Sequence, residues 1–212
     1  MPAAATTEQI QVHPGREDEF IAAVRAQTEL SGKHGGTSVL RQAMFAGPTS
    51  GTYRPITVYE DGAARAAAID AFRQEASIPL RDFLRSANPG GVSLGRAMLS
   101  GIGEAPAAGG AGAVNLTFVL QPQPGHQANI LAAIPESLEG ITKNGATASA
   151  WQTFAAGPGS NNIALGVSAD NMAALQSAMD ATVAAGPSTL VQLAQSGADE
   201  LQSSSVSVRA DL

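Results

Sequence analysis

Residues 46–52 read Ala-Gly-Pro-Thr-Ser-Gly-Thr, and residues 156–162 read Ala-Gly-Pro-Gly-Ser-Asn-Asn. The same punctuation returns after 110 positions, and so does Pro14-Gly15, as Pro124-Gly125. Laid over itself at that spacing, the chain matches 11–86 to 121–196 without an insertion, with 21 of 76 positions identical. Chance identity in an Ala- and Gly-rich chain is about a tenth of positions, so the excess marks an internal duplication. Residues 1–104 hold the first copy and 113–212 the second. The Pro- and Gly-rich stretch 105–112 between them reads as a linker.

Working outward from the first loop, Thr37–Phe45 and Thr52–Glu60 are extended runs that it joins as a hairpin. Upstream, Glu8–Val12 alternates polar and apolar, the period of a half-buried strand. Pro14-Gly15 stops it, and the acids Glu17, Asp18 and Glu19 open a helix whose N-terminus favours negative charge. That helix ends at Ser31-Gly32-Lys33. Downstream, Asp61 is an N-cap for a second helix. Leu80, Phe83 and Leu84 belong to a further short helix, and Val92–Leu99 is a last strand. The second copy repeats the order with strands at Asn115–Gln121, Ala146–Ala155, Asn162–Ala169 and Ser204–Arg209. Its helical stripes are Ile130, Ile134, Leu138, Ile141 and then Met172, Leu175, Met179, Val183. Pro135 inside the first of these predicts a kink or a split, because it removes a backbone donor. Each copy is thus β-α-β-β-α-β, the split unit of ferredoxin-like folds, and the class is α+β.

Composition removes several functions. The 212 residues contain no Cys, which excludes disulfides, thiolate metal sites and a cysteine nucleophile. His13, His34 and His126 share no metal-ligand spacing, and no metal is expected. A net charge of -6 with 4% aromatic residues is unsuited to nucleic acid. No apolar run reaches the length of a membrane span, and no signal peptide is readable, so the expectation is a cytoplasmic protein without membrane contact. The two copies differ in charge: residues 1–104 carry ten basic and eleven acidic residues, the second copy two and seven. So quiet a second half suits self-association, and a further homodimer is an expectation.

The βαββαβ order, the Gly-Pro-x-Ser hairpin and the acidic helix start Tyr59-Glu60-Asp61 together resemble the dimeric α/β-barrel superfamily. Its members include antibiotic-biosynthesis-monooxygenase-like, NIPSNAP-like and stress-response proteins. The resemblance implies two four-stranded sheets closing face to face with helices outside, here as a tandem, pseudo-dimeric barrel. It also implies activities. Monooxygenase members use an Asn–Trp pair, and haem-degrading relatives add a His. This chain has one Trp, Trp151, whose counterpart in the first copy is Arg41, and no His in the second helix of either copy. Haem degradation is therefore disfavoured, and no cofactor is expected.

Candidate ligand-binding residues are Arg41, Gln42, Tyr53, Tyr59, Trp151 and Gln152. Arg41 and Trp151 occupy equivalent strand positions, so a guanidinium and an indole could line one cavity around a flat or anionic molecule. The plainer alternative packs Trp151 between sheets and sends Arg41 to the rim. Gln42 and Gln152 survive in both copies, either for a ligand or to satisfy strand backbone. Tyr53 and Tyr59 have Ile163 and Ala169 as counterparts, so only the first copy offers phenols. Gly47–Thr52 is not a phosphate loop: it lacks Lys and joins two strands. No catalytic constellation is legible. Two functions are expected on these grounds. The first is a barrel binding a small hydrophobic or aromatic molecule, as a cofactor-independent monooxygenase-like enzyme on an aromatic or polyketide-like substrate. The alternative is a non-catalytic ligand-binding or assembly protein of the stress-response type.

Overall fold

Both hairpin loops close on the same one-turn 3₁₀ device, at Gly47–Thr49 and Gly157–Gly159. Gly47 and Gly157 sit at φ of 56° and 59°, the left-handed region that a Cβ disfavours. Ser50 Oγ then accepts the N–H of Ala46 at 3.0 Å, and Ser160 Oγ that of Ala156 at 3.1 Å. The retained Gly and Ser are thus explained by one backbone turn made twice.

The computed structural model describes residues 2–103, 110 and 112–210. In the first half lie β1 (Ala4–Val12), α1 (Glu17–Lys33), β2 (Thr37–Phe45), β3 (Tyr53–Tyr59), α2 (Gly62–Phe72), α3 (Pro79–Arg85) and β4 (Gly91–Ile102). The second holds β5 (Val114–Pro122), α4 (Gln127–Lys143), β6 (Thr147–Ala155), β7 (Ile163–Ala169), α5 (Met172–Ala184), α6 (Thr189–Gln195) and β8 (Asp199–Arg209). Apart from Gly110 and Gly112, the expected linker lies outside the described residues. Asp61 caps α2 as expected, accepting the Ala64 N–H at 2.8 Å, and Asn171 caps α5 in the same way at 2.9 Å. The helix carrying Pro135 is not split: α4 runs continuously through it.

Three strands clearly exceed their sequence signatures, β4 by running on to Ile102 rather than Leu99 and two others by starting early. β1 begins at Ala4 rather than Glu8, and β8 at Asp199 rather than Ser204. The extra residues are held by ladders to distant partners, such as Ala4 opposite Tyr59 and Asp199 opposite Pro122. Local alternation carries no trace of those pairings.

All eight strands form one closed antiparallel barrel in the order β1-β3-β2-β8-β5-β7-β6-β4. Each half contributes four adjacent strands in the same internal order, and the halves meet at two seams, β2–β8 and β4–β6. Closure leaves no free edge. Every strand then has an inner and an outer face by the two-residue period. The outer face carries the core. Ile10, Val12 and Leu40 pack under Phe20 and Val24 of α1 and Leu80 of α3, while Ile163 and Ala150 pack under Ile130 and Ile134 of α4. A third cluster joins Val114 and Val167 to Leu175 and Ala178 of α5. With the helices occupying the outside, the residues between these core positions face the barrel axis.

Candidate functional site: the barrel interior

The inner face encloses a cavity of about 550 Å³, lined by strand residues alone. That is within the ~300–1,000 Å³ range of small-molecule sites. Its wall is not uniform. Arg41 on β2 and Arg54 on β3 are direct register partners, and both line the cavity. Arg41 is also opposite Arg209 of β8 across the seam. The positions that match Arg41 and Arg54 in the second half are Trp151 and Ala164, and Gly101 on β4 takes the place of Arg209 at the other seam. Since β2 and β6 are four strands apart in an eight-strand ring, the arginines and the indole occupy opposite walls. A Cβ at Gly101 would lie in ordinary contact with the indole, 3.6 Å from Trp151 Cζ3.

Arg41 is only 8% exposed, and its Nη1 is buried with no hydrogen-bond partner. Burial lowers its pKa from the usual arginine value, and the charge of Arg209 lowers it further. Burial lowers that of Arg54 as well. Arginine nonetheless stays protonated in proteins, so both charges persist. Among the described residues no Asp or Glu lines the cavity. A further lining cation, Arg96, is paired with Glu8 at 2.8 Å. Arg41 and Arg54 have no such partner among the described residues.

Next to the indole the wall is small and polar. Asn115 Nδ2 donates to Ser168 Oγ at 2.8 Å and to the Val167 carbonyl at 3.3 Å, and its Oδ1 accepts from Thr117 Oγ1 at 2.7 Å. The first-half counterparts of Asn115, Ser149 and Ser168 are Ala5, Val39 and Val58. The cavity therefore has one side of cations and aliphatic groups, and another of an indole and satisfied hydroxyls and amide.

Of the residues singled out from sequence, Arg41 and Trp151 share this cavity. The other four do not join them. Gln42 Nε2 donates to the Tyr53 hydroxyl at 3.2 Å on the outer face, where the Tyr53 ring lies 4.9 Å from that of Phe20. Burial raises the Tyr53 pKa, with a smaller push from Glu17. Tyr59 is buried on the same outer side, its pKa raised by burial against the opposing effects of the Thr6 hydrogen bond and Arg65. Gln152 lies between Trp151 and Thr153, both of which line the interior, so alternation turns it outward. Among the lining residues that the sequence did not single out, Arg54 and Asn115 bear most on the site. Arg54 meets Arg41 only through the observed register; counting symmetrically from the ends of the two runs, Phe45 and Thr52, sets Arg41 opposite Ile56 instead. Asn115 could have been found from its two-residue spacing to Thr117.

No family model matches the chain, and no curated protein does. Solved structures do. One is a proposed monooxygenase of Fusobacterium nucleatum, with a TM-score of 0.68 at 9% identity, covering 99% of this chain and 93% of that one. The chain is also similar to an anthrone oxidase-like protein, with a TM-score of 0.63 at 10% identity over 99% and 92% of the two chains. A third is a chlorite dismutase of Candidatus Nitrospira defluvii, with a TM-score of 0.58 at 8% identity over 99% and 91%. The chain shares the α/β-barrel fold of these structures. Because more than nine-tenths of each partner is covered, the shared object is the whole eight-stranded barrel rather than one half.

Haem, which the haem-degrading branch of such barrels holds, does not fit the residues present. Neither α2 nor α5 contains a histidine. His13 Nδ1 bonds the Pro89 carbonyl, His34 pairs with Glu75, and His126 precedes α4, so no imidazole reaches the cavity. Among the described residues no group of His, Asp and Glu could hold a metal ion. Nor is any helix there long and apolar enough to cross a membrane.

Proposed function

We propose that this chain is a small-molecule-binding barrel of the monooxygenase-like type, built from two ferredoxin-like units in tandem. Its substrate is aromatic or polyketide-like and occupies the interior. The observation that carries this reading is the open interior itself: an inner face that merely served packing would be filled by large apolar side chains, as the outer face is. Here a cavity of about 550 Å³ is bordered by an indole on one side and guanidiniums on the other.

The chemistry that suits such a wall needs no resident cofactor. An aromatic CH₂ activated by a neighbouring carbonyl can lose a proton to give an enolate-like anion, whose negative oxygen a guanidinium stabilises. That anion is itself the reductant for O₂. Overall, CH₂ plus O₂ gives C=O plus H₂O, with one oxygen atom retained and both electron pairs drawn from the substrate. The chain's contribution is to hold the ring against Trp151, to lower the cost of the anion and to limit water. Oxygen-electrode assays with an anthrone are the direct test. Uptake of one O₂ per anthrone consumed, abolished in Trp151→Ala, supports the reading; binding without uptake replaces it with the second one.

That second reading is a non-catalytic ligand carrier. It is favoured by one specific feature: among the described residues the lining holds no His, Asp, Glu or Tyr that could accept the proton. Under the enzymatic reading the proton leaves to solvent.

A further inference from the structure

Resting on the interior site proposed above, we propose that Arg41 and Arg54 form an anion subsite that takes the carboxylate of an aromatic acid, whose ring lies against Trp151. Three independent observations converge on it. First, the charges are built in rather than tolerated. Arg41 is 8% exposed, with an Nη1 that no group among the described residues satisfies. Buried charge without a partner is costly, and a stable chain carries it where something else completes it.

Second, the two arginines are neighbours by register, not by side-chain reach. Arg41 and Arg54 are opposite each other on β2 and β3, and Arg209 follows Arg41 on β8. Like charges on adjacent strands repel. The planar forks of two guanidiniums match the two oxygens of a carboxylate, which converts repulsion into shared attraction.

Third, the duplication provides its own control. At the places in the other half that match Arg41 and Arg54 stand Trp151 and Ala164. A purely architectural need at this level of the barrel is met there without any cation. The arginines therefore serve something the second half does not, and the indole across the cavity fixes the ring end. An occupant with a carboxylate on one edge and a flat aromatic body spans the two walls in a single orientation.

Calorimetry with 2-naphthoate and the isosteric, neutral 2-naphthamide tests this on the full chain. The acid should bind at least tenfold more tightly than the amide. Arg41→Met and Arg54→Met should each remove most of that preference and leave amide affinity within about twofold. Trp151→Phe should weaken both ligands alike. Arg41→Met should also raise the melting temperature of the ligand-free protein, because it relieves an unpaired buried charge. Equal affinity for acid and amide, or a preference that survives both methionine variants, overturns the anion subsite and leaves the interior site standing. A lower melting temperature in Arg41→Met with the preference intact assigns Arg41 to architecture and overturns the subsite too. Failure of both compounds to bind at millimolar concentration overturns both readings. Arg54, which is less buried, carries the same test should Arg41→Met not fold.

Discussion

The guanidinium carbon of Arg65 lies 4.5 Å from the ring centroid of Phe154, tying α2 of the first half to β6 of the second. Arg65 is buried, and its Nη1 donates to the carbonyls of Leu99 at 2.8 Å and Ala5 at 3.3 Å. One side chain thus spans β1, β4 and the β4–β6 seam. The second half does without it, since the counterpart of Arg65 is Leu175, buried in an apolar cluster. Arg65→Ala should cost about 1–3 kcal/mol through two lost charge-assisted bonds. Phe154→Ala, at a half-exposed ring, should cost about 0.5–1 kcal/mol. Urea denaturation of both single variants and the double variant should show the double costing less than the sum of the two. Strictly additive losses would refute the coupling.

Trp151 separates core from site. Its ring is part-buried against empty volume, whereas Ile134 is fully buried between α4 and the sheet. Trp151→Ala should therefore lose less than about 2 kcal/mol, below the ~2–5 kcal/mol expected for Ile134→Ala. Equal or greater loss for Trp151→Ala in denaturant titrations would make the indole a packing residue.

These differences explain which parts of the molecule were legible in the sequence. Local chemistry was readable: β2 has the bounds its residues predict, Asp61 caps the helix it precedes, and the hairpin loops adopt one turn. What the local pattern lacked was parity. Along β2, β3, β6 and β7 one face meets the helices and the other the barrel interior, so alternation could not say which face was which. Gln42, Tyr53, Tyr59 and Gln152 look like site residues and face the helices for that reason. Arg54 looked ordinary until β3 was set beside β2. The seams β2–β8 and β4–β6 are contacts between halves, and no residue announces them in advance.

Pro135 makes a local rule testable against tertiary support. It is exposed on α4, between the buried Ile134 and Ser137, and its lack of an N–H leaves the Leu131 carbonyl without its helical donor. The helix survives because Ile130, Ala133 and Ile134 are buried against the sheet. Pro135→Ala removes no buried surface and restores the donor. It should stabilise the chain by about 1–2 kcal/mol and raise the unfolding midpoint without changing its denaturant slope. A loss of stability would mean that the proline ring itself has a structural role.

Asp199 is the group whose ionisation the fold opposes most plainly. It is buried at the start of β8, opposite Pro122, a residue with no N–H to offer, and its Oδ2 has no hydrogen-bond partner. Burial raises its pKa from the ordinary carboxylate value. Below that ordinary value, about 3.9, the carboxyl is neutral in both folded and unfolded chains, and its burial is tolerated. As pH rises through the window up to the raised folded value, the unfolded chain releases the proton first. Stability falls across that window and stays lower above it. Asp199→Asn cannot ionise and should escape the loss. At pH 7 it should be more stable than the parent chain by about 1 kcal/mol, the scale of an unsatisfied buried polar group, and at pH 3 the two should coincide. Thermal melts of both proteins at the two pH values suffice. A constant difference at both would assign the effect to the amide's own hydrogen bonds rather than to the charge.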